Sequence, residues 1–106
     1  MSVSTHVLDA AAGRPAAGMP VVLERWRDAG WAEVAARATD ADGRIAEFGA
    51  DSPAGRYRLT FDVEGWSGAD SFYPDVVVSF RITDAAAHHH IPLLLSPFAY
   101  STYRGS

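Results

Sequence analysis

Hydrophobic and polar positions alternate with a period of two along most of this chain, and turn-forming residues interrupt the alternation at short intervals. Val3, Thr5 and Val7 share one face of an opening strand, and Ser4, His6 and Leu8 share the other. Asp9 to Pro15 reads as a loop containing Gly and Pro. Pro20 to Arg27 is a second strand; it breaks at Asp28-Ala29-Gly30 and returns as Trp31 to Thr39, the pattern of a hairpin. In Asp40-Ala41-Asp42-Gly43 the carboxylates can accept local backbone N–H bonds and the glycine tolerates positive φ. A tight turn is therefore predicted before a short strand, Arg44 to Phe48. Arg56 to Val63 alternates most cleanly, with Tyr57, Leu59, Phe61 and Val63 on one face. Asp75 to Thr83, His88 to Leu95 and Phe98 to Gly105 complete the set. Between them, Glu64 to Pro74 contains Gly65 and Gly68, which disfavour a helix, so one helical turn at most is expected there.

Eight strands spaced by roughly 8–12 residues predict an all-β fold, an eight-stranded sandwich of two sheets. Residues 1–106 form a single domain, without an internal repeat or linker. Ala85-Ala86-Ala87 is too short to nucleate a helix alone. The closing residues also read as strand, with Tyr100, Thr102 and Arg104 alternating against Ser101, Tyr103 and Gly105. Chain ends usually fray into disposable polar residues, so an ordered end bearing an arginine and a hydroxyl suggests a task.

Composition narrows the class. With 48% hydrophobic and 21% charged residues the chain has the balance of a globular protein rather than a disordered one. A net charge of -4 without any basic run gives no electrostatic attraction for nucleic acid or an anionic membrane, so neither partner is expected. There is no cysteine, hence no disulfide and no thiolate chemistry. Met1 to His6 lacks a charged leader followed by an apolar stretch, and no apolar run is long enough to span a bilayer. A cytoplasmic protein without a signal peptide is expected.

Three residues stand out for chemistry. His6 shares a face of the first strand with Ser4 and Leu8, Arg44 follows the acidic turn, and His90 shares a face with His88, Pro92 and Leu94. Taken alone, His6 reads as a structural strand residue and Arg44 as a solvated surface arginine. His89, Ile91, Leu93 and Leu95 face the core, so the face bearing His90 points outward. That outer face is nevertheless apolar through Leu8, Pro92 and Leu94, which predicts that another subunit covers it. Side chains at i and i+2 of a strand lie about 7 Å apart on one face, so His88 and His90 could share a zinc ion. A third ligand would have to come from His6 or a carboxylate, because no further paired His or Cys motif exists; no metal is expected. A nucleophile elbow, a phosphate-cradling glycine loop and H-E-x-x-H are all missing. Trp26, Trp31, Trp66, Phe72 and Tyr73 read as core and hairpin packing.

Several stretches together resemble the transthyretin-related proteins: His6-Val7-Leu8-Asp9, Gly43-Arg44, Phe72 to Val78, and His90-Ile91-Pro92-Leu93-Leu94-Leu95-Ser96-Pro97. With the closing Tyr103-Arg104-Gly105-Ser106, which is the most specific element, the likeness is to the hydrolase branch of that family. It extends from His6 to Ser106. The resemblance implies a homotetramer, a dimer of dimers, whose central channel would be walled by the apolar outer face. It further implies a small purine-derived substrate, 5-hydroxyisourate, whose ring amide is opened by water in urate breakdown without a cofactor. His6, Arg44 and His90 are then the expected catalytic residues, and Tyr103, Arg104, Gly105 and Ser106 the expected substrate-binding segment. In the hormone-carrying branch the first three are replaced and the closing motif is lost. A transthyretin-like ligand carrier without catalysis is accordingly the alternative. The resemblance gives His88 and His89 no role.

Overall fold

The computed structural model describes residues 3–49 and 52–106. Two antiparallel-rich sheets face each other. One contains β1 (Val3–Asp9), β2 (Arg14–Pro15), β5 (Arg44–Phe48), β8 (His89–Ser96) and β9 (Ala99–Thr102). The other has the order β4 (Gly30–Ala38), β3 (Pro20–Arg27), β6 (Gly55–Asp62), β7 (Asp75–Ile82). The predicted sandwich is present, and its inner faces are the predicted ones. Val3, Val7, Ile91, Leu93 and Leu95 meet Val21, Leu23, Tyr57, Leu59 and Phe61 in one buried core.

β1 is the centre of the first sheet. It runs parallel to β8 in unbroken register from Val3↔His89 to Asp9↔Leu95. Its other edge pairs antiparallel with β5, including His6↔Arg44, and with β2. Buried Thr5 keeps its hydroxyl satisfied by donating to the Ile91 carbonyl at 2.6 Å, so a polar residue sits in the core without an orphaned group.

Two local readings change, and a third, the single helical turn allowed in the Glu64–Pro74 connection, is met. The Asp9–Pro15 loop contains β2, a two-residue strand held by Leu8↔Pro15 and Asp9↔Arg14, making nine strands among the described residues. A helix does form: α1 spans Val63–Ser67 despite Gly65. The Asp62 side chain caps it by accepting from the Gly65 N–H, while Gly68 lies outside the helix as a left-handed C-cap at φ 70°, where glycine is favoured rather than disruptive. Regular pairing of the last strand stops at Thr102, and the chain returns to the sheet through a bridge between Gly105 and His90. Among the aromatics, Trp26 and Trp31 pack edge to face across the β3–β4 hairpin, but Phe72 is 68% exposed and is not core.

Candidate active site

β1, β5 and β8 are neighbours in one sheet, which sets His6 beside Arg44 and brings Arg44 and His90 to one cleft that His6 does not line. The β1/β8 register sets Ser4 beside His90 and His6 beside Pro92, all on the outer face. The β1/β5 register sets Arg44 beside His6. The turn ahead of β5 is built by Asp40, whose carboxylate accepts from the N–H groups of Asp42 and Arg44, each at 2.9 Å. Gly43 then passes under β1 at φ 75°, its carbonyl accepting from the Val7 N–H at 2.7 Å. A Cβ there would lie 2.4 Å from the Val7 carbonyl oxygen, so the turn fits only with glycine. The same turn aims the Asp42 carbonyl at His6, whose Nε2–H donates to it at 2.9 Å. That bond commits the Nε2 proton and leaves Nδ1 as the acceptor nitrogen of neutral His6.

His90 is held from the opposite side. Its Nδ1 is 2.7 Å from the Ser4 hydroxyl, and the same hydroxyl is 2.7 Å from Nε2 of His88. Ser4, His88, His90, Arg44 and Ser106 line one cleft of about 270 Å³. Burial pushes the His90 pKa below the usual imidazole value of 6.5; the positive charge of Arg44 lowers it further, as do His88 and His6. A hydrogen bond to the Ser4 backbone opposes the shift. The net direction favours neutral His90, the form able to accept a proton.

The closing segment divides. Gly105 N–H donates to the His90 carbonyl at 2.8 Å, and a Cβ on Gly105 would come within 2.5 Å of Cδ2 of the His90 ring. Glycine is therefore the residue that lets the chain cross the imidazole. Ser106 then reaches the cleft. Tyr103 and Arg104 do not; they line a separate cleft with Phe80, Arg81 and His89. His89 is buried, with Nδ1–H donating to the Ala87 carbonyl at 3.2 Å.

Ser4 and His88 are the residues that the sequence reading missed. Strand alternation does put Ser4 on the face of His6, and His88 on that of His90, but only the parallel register joins the two pairs. The notion of a metal between His88 and His90 meets a serine oxygen at that point. Among the described residues no three His, Cys, Asp or Glu side chains form a group that could hold a metal ion.

The family model for the HIUase/Transthyretin family matches residues 3–105. The chain belongs to the HIUase/Transthyretin family. Within it, the chain is 42% identical to the 5-hydroxyisourate hydrolase of Salmonella typhimurium, over 98% of this chain and 80% of that protein. The structure of the Klebsiella pneumoniae 5-hydroxyisourate hydrolase superposes with a TM-score of 0.87 at 40% identity, covering 99% of this chain and 98% of the other. Sea bream transthyretin in complex with thyroxine gives a TM-score of 0.88 at 31% identity, covering 99% and 95%. Backbone similarity thus does not separate the two branches of the HIUase/Transthyretin family. Sequence identity leans to the hydrolases, and the cleft chemistry bears on the same question.

Proposed function

We propose that this chain catalyses the hydrolysis of 5-hydroxyisourate to 2-oxo-4-hydroxy-4-carboxy-5-ureidoimidazoline, by attack of water on a ring amide. The observation that carries the reading is a neutral-leaning His90, anchored through Nδ1, in one cleft with Arg44. Opening the ring needs a base for water, a cation for the developing oxyanion and a means of orienting a flat polar ligand. His90 supplies the first through Nε2, the ring nitrogen that Ser4 leaves unengaged. Arg44 supplies permanent charge and paired N–H donors for the other two. Water adds to the carbonyl carbon as His90 takes its proton; the C–N bond then breaks and the departing nitrogen receives a proton.

His6 is the second member of the acid/base pair, its orientation fixed by the Asp42 carbonyl. Gly105 and Ser106 close the site, with Gly105 against the imidazole and Ser106 in the cleft, while Tyr103 and Arg104 flank it from the neighbouring cleft. The working form is a homotetramer in the cytoplasm, in which Leu8 and Leu94, side by side on the outer face, are covered by another copy. The competing reading is a ligand carrier, favoured by the backbone match to sea bream transthyretin. A carrier has no use for a base held beside a cation, and the chain is more similar to the hydrolases in sequence.

The deciding measurement generates 5-hydroxyisourate from urate and follows its ultraviolet decay with and without the protein. Accelerated decay is expected, and decay at the spontaneous rate refutes the enzyme. His90→Asn and His6→Asn should each lower turnover about 10²–10⁴-fold, the usual contribution of acid–base catalysis. Both variants should remain folded by circular dichroism.

A further inference from the structure

We propose that Ser4 is a positioning residue, which fixes the working tautomer of His90 and connects that ring to His88 as a path for protons. The inference rests on the hydrolase reading and adds two residues to its site. Ser4 belongs to β1, is 6% exposed and places its hydroxyl 2.7 Å from each of two imidazole nitrogens. A hydroxyl has one proton to give, so it can donate to one ring only and must accept from the other. Two arrangements satisfy both contacts. In one, His90 Nδ1–H donates to Ser4 and the Ser4 O–H donates to His88 Nε2. In the other, every proton in the chain is shifted toward His90.

The first arrangement is the resting one. It leaves the Nε2 lone pair of His90 facing the cleft, where the charge of Arg44 favours a lone pair over an N–H. When Nε2 takes a proton from water, His90 becomes an imidazolium flanked by a hydroxyl ready to accept from Nδ1. The Nδ1 proton passes to Ser4 as the Ser4 proton passes to His88 Nε2. His90 then holds a proton on Nε2 while the positive charge sits on His88; as Nε2 gives its proton to the departing nitrogen, His88 returns its proton through Ser4 to Nδ1, which restores the resting arrangement. His88 is exposed, so water solvates its charge while it holds that proton. The charged and titratable groups acting on His90 are Arg44 from β5, His6 from β1, and His88 just ahead of β8. Ser4 itself is buried against the rings, which is why it acts through His90 rather than on the substrate.

The test combines turnover with nitrogen-15 spectra of the histidine rings in wild type, Ser4→Ala, Ser4→Thr and His88→Gln. Wild type should show His90 protonated at Nδ1. Ser4→Ala should move the proton to Nε2 and lower kcat about 10-fold or more with little change in KM, short of the 10²–10⁴-fold expected for loss of the base. Ser4→Thr restores the hydroxyl and should recover both the spectrum and most of kcat. His88→Gln, at an exposed position, keeps an acceptor for Ser4 but cannot take up the proton; it should retain the tautomer and lose kcat about 3- to 10-fold. An unchanged His90 spectrum and turnover in Ser4→Ala overturn the positioning role, and wild-type turnover in His88→Gln overturns the proton path. Should Ser4→Ala not fold, Ser4→Thr and His88→Gln still decide. Wild-type protein that fails to open the ring refutes the hydrolase reading alone, because the ring spectra report on the Ser4 contact independently.

Discussion

His90 gathers most of the site's physics into one side chain, and its environment makes a signed prediction. Burial, then Arg44, lowers its pKa below 6.5, so the folded protein binds that proton less readily than the unfolded chain does. Between the lowered value and 6.5 the unfolded state carries more protons, and stability must rise with pH across that window. The contribution is present above 6.5 and lost as pH falls through the folded value. Melting temperatures of wild type should therefore drop more steeply below pH 6.5 than those of His90→Asn. Parallel curves for the two would show that His90 does not titrate in this way. The acid limb of kcat should likewise lie below 6.5, and Arg44→Gln should move it upward by removing a positive neighbour. Gly105 offers a second test at this scale. Gly105→Ala drives a methyl group into the His90 ring, 2.5 Å from Cδ2. Since small misplacements of a reacting group are costly, kcat should fall about 10- to 100-fold while the melting temperature barely changes, the core lying elsewhere. Full activity in this variant would detach the closing segment from catalysis.

The strands were legible for a simple reason: each buries one face, so Val3, Val7, Tyr57, Leu59, Phe61, Leu93 and Leu95 declare their side through alternation alone. Elements set by hydrogen bonds rather than burial were not. β2 is two residues long and has no periodicity to show. α1 depends on the Asp62 cap and on Gly68 lying after its last turn, where a helix-propensity argument counts a C-cap as a breaker. The candidate site was legible as residue types but not as contacts. His6, Arg44 and His90 could be named from the chain, whereas Ser4 enters only through parallel pairing of strands separated by most of the sequence. The β3–β4 hairpin shows a strained turn that was also unreadable. Arg27 pairs with Gly30, leaving a two-residue loop in which Asp28 and Ala29 have φ of 53° and 61°. Both angles are positive, the type I′ geometry that suits Asp-Gly far better than Asp-Ala. Ala29→Gly should therefore stabilise the protein by about 0.5–1 kcal/mol, the strain relieved less the added freedom of the unfolded chain. Chemical denaturation should show a higher midpoint with the same slope, and activity should not move, because this hairpin belongs to the other sheet. A lower midpoint would mean that the turn relaxes in solution.

At the scale of the whole molecule, the outer face of the β1/β8 pair changes character along its length. Ser4 and His90 stand at one end, His6 and Pro92 follow, and Leu8 and Leu94 complete the row. The polar end makes the cleft, while the apolar end remains partly exposed in a single chain. Water is a poor partner for that row, and a second copy laid across it would bury the leucines and wall the cleft at once. Association and catalysis are then properties of one surface, and a change at Leu94 should reach both. Leu94→Lys places a charge where the proposed interface is apolar. An unpaired buried charge costs about 3 kcal/mol or more, at least a hundredfold in association constant. Sedimentation should show wild type as an assembly of four chains and Leu94→Lys as smaller species, with the circular dichroism of the sandwich intact because Leu94 lies outside the core cluster. If the cleft needs its neighbour, ring opening by Leu94→Lys should rise with protein concentration more steeply than in proportion. A wild-type monomer, or a Leu94→Lys variant that stays tetrameric, would locate any interface on another face and leave the cleft to work within one chain.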